Sequence, residues 1–187
     1  MSKAELTKRA IAASFRELLE TMPLEKITVS SIAERTGINR QTFYYHFHDI
    51  YDLVSWIYRS GIEESVGSEP LTLSNWHKPM VAVLDSLRDN HDLVVRTMHG
   101  VDASYAYRFA QDEVSNMARS IVKSASNGLD VSDEDLELVT QYYSAGLVEA
   151  TRLWVSNGMR ESPVRFVSRL GLLLDGAVTE SLKRLAH

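Results

Sequence analysis

Apolar residues recur at three- and four-residue spacing along nearly the whole chain, which is the period of an amphipathic helix. The first such segment runs from Ser2 to Thr21 and ends near Pro23. Further helices are predicted at residues 29–36, 40–47, 51–60, 75–90, 93–99, 104–126, 133–156 and 163–185. The pattern therefore predicts an all-α fold of about nine helices.

A segment without helical period interrupts this pattern at residues 67–74, GSEPLTLS, and its composition is typical of a linker. We predict an amino-terminal three-helix domain over residues 1–65, called the head. A helical-bundle domain over residues 72–187, called the body, is predicted to follow it.

Charge is distributed unevenly between these two parts. The chain carries a formal net charge of −5, yet residues 1–48 hold seven Lys and Arg against five Glu, a net of +2. The remainder holds thirteen basic against twenty acidic residues, a net of −7. A mildly basic head on an acidic body is compatible with a head that contacts nucleic acid.

The composition also excludes several classes of protein. The chain has no cysteine, which rules out disulfides and thiolate metal sites. Its amino-terminal segment is charged and helix-periodic rather than of signal-peptide type, and no run of about 18 apolar residues occurs. We expect a cytoplasmic protein that has no membrane partner.

Residues 28–47, TVSSIAERTGINRQTFYYHF, have the pattern of a helix-turn-helix. Thr28 is placed to cap the first helix, and the small Ala33 lets the second helix approach closely. Gly37 supplies the left-handed backbone that a side chain would disfavour. Asn39 is predicted to cap the second helix by accepting an N–H from residue 41 or 42.

The second of these helices has one aromatic face and one polar face. Phe43 and Phe47 lie about 40° apart at about 100° per residue, so both rings are predicted to face the core. The opposite face presents Gln41, Thr42, Tyr44 and Tyr45. An amide, two phenols and a hydroxyl suit a DNA major groove, where Gln41 can pair with adenine and the methyl of Thr42 can meet that of thymine. Arg40 and His46 stand on the shoulders of this face, where phosphate contact is favoured over base contact.

Two interpretations other than DNA binding apply to these residues. Paired short helices joined by a glycine turn also occur in proteins that bind no DNA, and tyrosine is an ordinary half-buried residue. A metal site at His46 and His48 is disfavoured, because alternate residues of a helix point about 200° apart. We therefore expect no metal.

The stretch ITVSSIAERTGINRQTFYYHF, followed by an amphipathic helix, resembles the DNA-binding head of TetR-type transcriptional regulators from residue 5 to about residue 60. The resemblance implies phosphate contacts from Thr28, Tyr45 and His46. It implies base contacts from Arg40, Gln41, Thr42 and Tyr44. Ile50 stands where the family often has a phosphate-gripping lysine. Within the family, RQTFYYHF leading into DLVSWIY is most similar to regulators of dihydroxyacetone kinase operons.

The body contains no Gly-rich phosphate loop, no His-Glu-x-x-His and no nucleophile elbow. We expect a protein that is not an enzyme and needs no cofactor. Six residues could line an effector pocket, although aromatics at helical spacing more often belong to a core. They are Met98, Tyr105, Tyr107, Tyr142, Tyr143 and Trp154.

The last two predicted helices have apolar faces too wide for one neighbour to cover. The first face comprises Leu136, Val139, Tyr143, Gly146, Leu147, Ala150 and Trp154, and the second Phe166, Leu170, Leu173, Leu174, Ala177 and Val178. We predict a homodimer that pairs these helices and binds a palindromic operator, because helix-turn-helix proteins usually read two half-sites. The alternative is core packing within one chain.

The resemblance implies that an effector bound in the body alters operator affinity by shifting the spacing of the two heads. Such control requires different effector affinities for the two conformations. The resemblance to dihydroxyacetone kinase regulators implies a second possibility, control by a partner protein that acts as a coactivator.

Overall fold

The computed structural model describes residues 2–99, 103–174 and 176–186, and for residues 98, 99 and 103–105 it describes the backbone only. The described residues form ten α-helices and a short 3-10 helix, Leu24–Lys26, and they contain no strand, which confirms the all-α class. The helices are α1 Lys3–Thr21, α2 Val29–Thr36, α3 Arg40–His46, α4 Ile50–Val66, α5 His77–Asp89, α6 His91–His99, α7 Ala103–Ala125, α8 Asp133–Ser156, α9 Pro163–Leu174 and α10 Ala177–Leu185. None of the helices in these ranges combines the length and hydropathy that crossing a membrane requires.

Two compact units make up the described chain. The first comprises the described parts of Met1–Ser60 and Asn90–Ala106. Its core contains Phe15, Ile32, Phe43 and Leu53, each fully buried, and also Leu93 from α6. Helix α6 therefore packs on the head helices, although the linker separates them in sequence. The division into separate domains over residues 1–65 and 72–187 stays a prediction.

Two polar contacts hold α6 within the first unit. The guanidinium of Arg96 donates to the carbonyl oxygen of Met22 at 3.2 Å, and Met22 is the C-cap residue directly after α1. The hydroxyls of Tyr58 on α4 and Thr97 on α6 lie 2.7 Å apart. Both contacts join residues that are far apart in the sequence.

The second unit comprises Gly61–Asp89 and the described part of Tyr107–His187. Helix α5 packs against α9, and α8 packs against α10. One apolar core cluster joins Val122, Val139, Val178 and Leu182. The amide of Gln111 and the hydroxyl of Ser115 reach the buried hydroxyl of Ser144, each at 3.0 Å, and so join α7 to α8.

The last predicted helix, over residues 163–185, is two helices in the structure. Helix α9 ends at Leu174, and α10 starts after Gly176, which has φ +81° and ψ −27°. A positive φ suits glycine and interrupts a right-handed helix. The apolar period continues across this break, which is why periodicity alone predicted one helix.

Candidate nucleic-acid interface

The turn between α2 and α3 has the geometry predicted from its residues. The hydroxyl of Thr28 accepts the N–H of Ser31 at 3.1 Å, and the hydroxyl of Ser31 accepts the N–H of Thr28 at 3.0 Å. This reciprocal pair is a capping box in which serine replaces the usual Glu or Gln. Gly37 ends α2 at φ +73° and ψ 29°, the left-handed conformation that its position predicts.

Asn39 and two phenylalanines fix the rotation of α3. The side-chain oxygen of Asn39 accepts the N–H of Thr42 at 2.7 Å and caps the helix. Phe43 and Phe47 are both buried in the core of the first unit, as predicted. Because these two rings face inward, the polar residues between them face away from the core.

Four residues of α3 form the most accessible part of its outward face. Tyr45 is 82% exposed and Tyr44 is 50% exposed. Arg40 and Gln41 are exposed as well. Among the described residues, no side chain hydrogen-bonds or ion-pairs with that of Arg40 or Gln41. This face therefore keeps a guanidinium, an amide and two phenols available for a ligand.

The other three predicted contact residues are less available, because they already make hydrogen bonds within the protein or are partly buried. The hydroxyl of Thr42 donates to Asn39 at 2.9 Å, which leaves its methyl group and its oxygen lone pairs. His46 is half-buried, and its ring meets the edge of the Tyr45 ring at 5.0 Å. Thr28 is exposed and already caps α2. All seven predicted contact residues belong to α3 or to the residue that precedes α2.

A group of polar residues lies where α3 passes into α4. Asp49 accepts the N–H of Asp52 at 2.8 Å, and Asp52 accepts the N–H of His48 at 2.9 Å. Partial burial raises the pKa of Asp49, but the Asp52 N–H and the nearby His48 outweigh it and leave this pKa below its ordinary value. Ile50 packs against the head core. Ile50 therefore cannot replace the exposed lysine that the family often has here. The side chain of the nearby His48 is 91% exposed.

Lys8 makes a cation–π contact that the sequence did not predict. Its ammonium lies 5.5 Å from the centre of the Phe47 ring and 5.8 Å from that of Trp56. A cation over two aromatic rings is attracted to their negative faces. No local signal marks this contact, because it joins α1 to the end of α3 across about forty residues.

The second unit contains a small apolar cavity and an open groove. The cavity has a volume of about 40 Å³ and is lined by residues such as Trp76, Met117 and Tyr143. The groove, between the end of α8 and α9, encloses about 990 Å³ and is lined partly by Trp154. Tyr107 and Tyr142 are exposed, whereas the side chains of Met98 and Tyr105 lie outside the description. Of the suggested pocket residues, Tyr143 lines the cavity and Trp154 lines the groove, so these two lie at different sites.

Comparison with known families agrees with this geometry. Residues 11–55 match the family described as bacterial regulatory proteins, tetR family, and they span α2 and α3. Residues 74–176, more than half of the chain, match the TetR family described as transcriptional regulator C-terminal region. The chain belongs to the TetR family. It is a transcriptional regulator and not an enzyme, as the sequence predicted.

Relatives in this family include a regulator of a dihydroxyacetone kinase operon. The chain is 24% identical over 160 residues to the HTH-type dhaKLM operon transcriptional activator DhaS of Lactococcus lactis, covering 84% of each protein. It is similar to the structure of the dihydroxyacetone kinase operon activator DhaS, with TM-score 0.70, 22% identity and coverage of 97% of this chain and 98% of that one. The sequence resemblance to this group of TetR-type regulators is confirmed.

Another similar structure is that of BioQ with its natural double-stranded DNA operator, with TM-score 0.54 and 20% identity. The match covers 92% of this chain and 97% of that one. At this level of identity the likeness concerns the fold, which is that of TetR-family regulators. Proteins of this family bind DNA operators.

Proposed function

We propose that this TetR-family regulator is a homodimer that binds a palindromic DNA operator in the cytoplasm and recognises its sequence through α3. The outward face of α3 is the observation that carries the proposal. It is held outward by the buried Phe43 and Phe47, and the side chains of Arg40 and Gln41 are left unpaired among the described residues. A helix presented in this way fits the major groove.

The proposed contacts divide into two groups by what they reach. Base edges are contacted by Arg40, Gln41, Thr42 and Tyr44, and phosphates by Thr28, Tyr45 and His46. Gln41 is the strongest candidate for specificity, because an amide can both accept from and donate to adenine. Tyr45, whose side chain is 82% exposed, is suited to the DNA backbone, where contact fixes register rather than sequence.

The proposed dimer uses the helices at the end of the chain. Several of the apolar residues expected at this interface, Val139, Trp154, Leu170 and Val178, are buried within the second unit and act as core. Other apolar side chains of α8 and α9 are exposed instead. These are Leu138, Tyr142 and Leu153 on α8 and Val164, Leu172 and Leu173 on α9. They support a dimer because exposed apolar surface of this kind is usually covered by a partner.

An effector acting on the carboxy-terminal domain is proposed to control operator affinity. A second candidate is control by a partner protein. The groove of about 990 Å³ is large enough for a small molecule, but the apolar cavity in the second unit is not. That cavity encloses about 40 Å³, whereas small-molecule sites usually measure about 300–1,000 Å³. A small-molecule effector would have to open this cavity or use another site.

Selection of bound DNA from a random pool tests the proposed function. A palindromic consensus with half-sites about one helical turn apart, bound more weakly as salt is raised, is the expected result. Binding without sequence preference, or no binding, would overturn the proposal. A thermal-stability screen of the isolated protein against small metabolites separates the two modes of control, because a direct effector raises the melting temperature.

A further inference from the structure

Lys8 is a half-buried cation on the face of α1 that packs into the core of the first unit. It precedes Ile11 by three residues and Phe15 by seven, and both of these side chains are fully buried. At about 100° per residue, all three lie on one side of the helix. Lys8 therefore brings a positive charge to an otherwise apolar contact, which is unfavourable unless the charge is compensated.

Among the described residues, no carboxylate compensates this charge. Glu5, one turn earlier on α1, pairs with Arg9 instead, at 3.3 Å between Oε1 and Nε. No described group accepts a hydrogen bond from the Lys8 ammonium. The rings of Phe47 and Trp56 face it, with their centres 5.5 and 5.8 Å away. The compensation for the charge therefore comes from aromatic faces.

The ammonium and the two ring centres form a nearly equilateral triangle, because the rings of Phe47 and Trp56 are themselves 5.8 Å apart. The ring planes are inclined at 63°. A cation is attracted to the negative face of each ring. Its attraction to both rings at once depends on their separation and tilt, so it favours this one arrangement. We call Lys8, Phe47 and Trp56 the cation–aromatic cluster.

The cation–aromatic cluster joins α1 and α4 to the residue at which α3 ends. Phe47 is the C-cap residue of α3, and its N–H donates to the carbonyl oxygen of Phe43 at 2.9 Å. The Phe43 ring lies 5.8 Å from that of Phe47 and 5.7 Å from that of Tyr44, which belongs to the outward face. A rotation of α3 that turned this face would therefore also move Phe47 away from Lys8.

We propose that Lys8 is a positioning residue for DNA recognition, which holds α3 in the orientation that its outward face needs in order to contact bases. The ammonium acts through the rings of Phe47 and Trp56 and does not itself contact DNA. This role rests on the proposed function and adds to it a residue outside the seven proposed contacts. A lysine that contacted phosphate directly would give different results in the following measurements.

Lys8→Gln removes the charge and keeps a side chain of similar length. In the full-length variant, a smaller fraction of molecules holds α3 in the competent orientation, and the apparent operator affinity falls with that fraction. The dissociation constant for the selected operator should rise at least about fivefold, the factor that one cation–π contact corresponds to. Binding to an unrelated duplex should change much less, because it needs no base contacts.

The salt dependence of operator binding separates positioning from phosphate contact. Each phosphate contact that is lost reduces the slope of log K against log salt concentration by about 0.9. A positioning residue leaves this slope unchanged. A reduced slope in Lys8→Gln, with equal weakening on every sequence, would overturn the proposal and make Lys8 a phosphate contact.

Two further variants serve as controls. Lys3→Gln removes the same charge from an exposed position of α1 and should leave the preference for the operator unchanged. Lys8→Arg should retain most of that preference, because a guanidinium also binds over aromatic faces. A loss in Lys8→Arg as large as that in Lys8→Gln would contradict a role based on the cation.

A double-mutant cycle tests whether Lys8 acts through an aromatic ring. Trp56→Leu removes one ring of the cation–aromatic cluster and none of the proposed DNA contacts. In this background, Lys8→Gln should weaken operator binding by a smaller factor than in the unaltered protein. Equal factors in the two backgrounds would show that the lysine does not act through the indole. Circular dichroism checks that each variant is folded.

Nuclear magnetic resonance of the indole groups gives a measurement that needs no DNA. The chain has three tryptophans, and Trp76 and Trp154 belong to the second unit. With the indole nitrogens labelled, Lys8→Gln should shift the Trp56 signal and leave the other two in place. Lys8→Arg should restore most of the shift. A Trp56 signal that does not respond to Lys8→Gln would overturn the cation–π contact.

Failure of the proposed function would look different from failure of the positioning role. If α3 does not recognise a DNA sequence, the unaltered protein shows no operator preference, whether or not the Trp56 signal responds. If the unaltered protein prefers an operator and Lys8→Gln keeps the full preference, the positioning role is wrong and the proposed function stands.

Discussion

The hydroxyls of Tyr58 on α4 and Thr97 on α6 share a hydrogen bond, with 2.7 Å between their oxygens, and the Thr97 hydroxyl also lies 2.8 Å from the carbonyl oxygen of Leu93. This chain of hydrogen bonds ties α6 to α4 inside the first unit. Burial raises the pKa of the Tyr58 phenol to about 12, and the hydrogen bond with Thr97 opposes this only in part.

The raised pKa makes stability depend on pH in the alkaline range. The folded state holds the Tyr58 proton more tightly than the unfolded chain, whose phenol titrates near its ordinary value of 10.0. The contribution is therefore fully present below that pH and is lost as the pH rises towards about 12. Urea unfolding across this range should show a shallower loss of stability in Tyr58→Phe than in the unaltered protein. Equal slopes in the two proteins would contradict the assignment.

Gln41→Ala should relax the base preference of the regulator. A lost bidentate contact costs about 1–3 kcal/mol on the best site and much less on other sites. Binding to the selected operator and to single-base variants of it measures the change. Tyr45→Phe is the matched control and should weaken all sequences by a similar factor, because a phosphate contact carries no sequence information. Unchanged discrimination in Gln41→Ala would show that this amide does not contact bases.

Gly37→Val should destabilise the first unit through the backbone. At φ +73° an L side chain is strained by about 1–2 kcal/mol, and a β-branched one by more. Clash with other parts of the protein is not the cause, since an added Cβ would meet no described atom beyond its chain neighbours within 4 Å. Gly37→Asn is the control, because asparagine tolerates this conformation. Denaturant unfolding should rank glycine first, asparagine second and valine last.

Asp49→Ala should cost about 1 kcal/mol, because it removes the side chain that accepts the Asp52 N–H at the start of α4. Asp49→Asn preserves the cap and should cost less. The lowered pKa of Asp49 adds a pH dependence, since its stabilisation is present above its ordinary value of 3.8 and is lost as the pH falls through the lower folded value. Acid unfolding followed by circular dichroism should show this component in the unaltered protein and not in Asp49→Asn.

The helix-turn-helix could be predicted from the sequence because its signals are local. Thr28, Gly37 and Asn39 each act within three or four residues of their own position, and the structure gives them the predicted caps and turn. The spacing of Phe43 and Phe47 fixes which side of α3 faces outward. The contacts of that side with DNA remain predictions.

Other features depend on contacts that periodicity does not specify. The sequence shows that α8 and α9 have wide apolar faces, but the covered part of each face is decided by packing against α5 and α10. Val139 is thereby buried while its neighbour Leu138 is exposed. The position of α6 in the first unit depends on Arg96 reaching Met22, a contact across 74 residues.

Because α6 comes late in the chain, the core of the first unit can be completed only late during synthesis. Leu93 belongs to the core of the first unit, so the ribosome must add thirty-three residues after Ser60 before that core is complete. At translation rates of about 5–20 residues per second, the wait is roughly 2–7 s. During this interval the nascent helices carry an uncovered apolar surface that a chaperone can bind. A gene fusion that transplants this head onto another protein would therefore need to carry α6 with it.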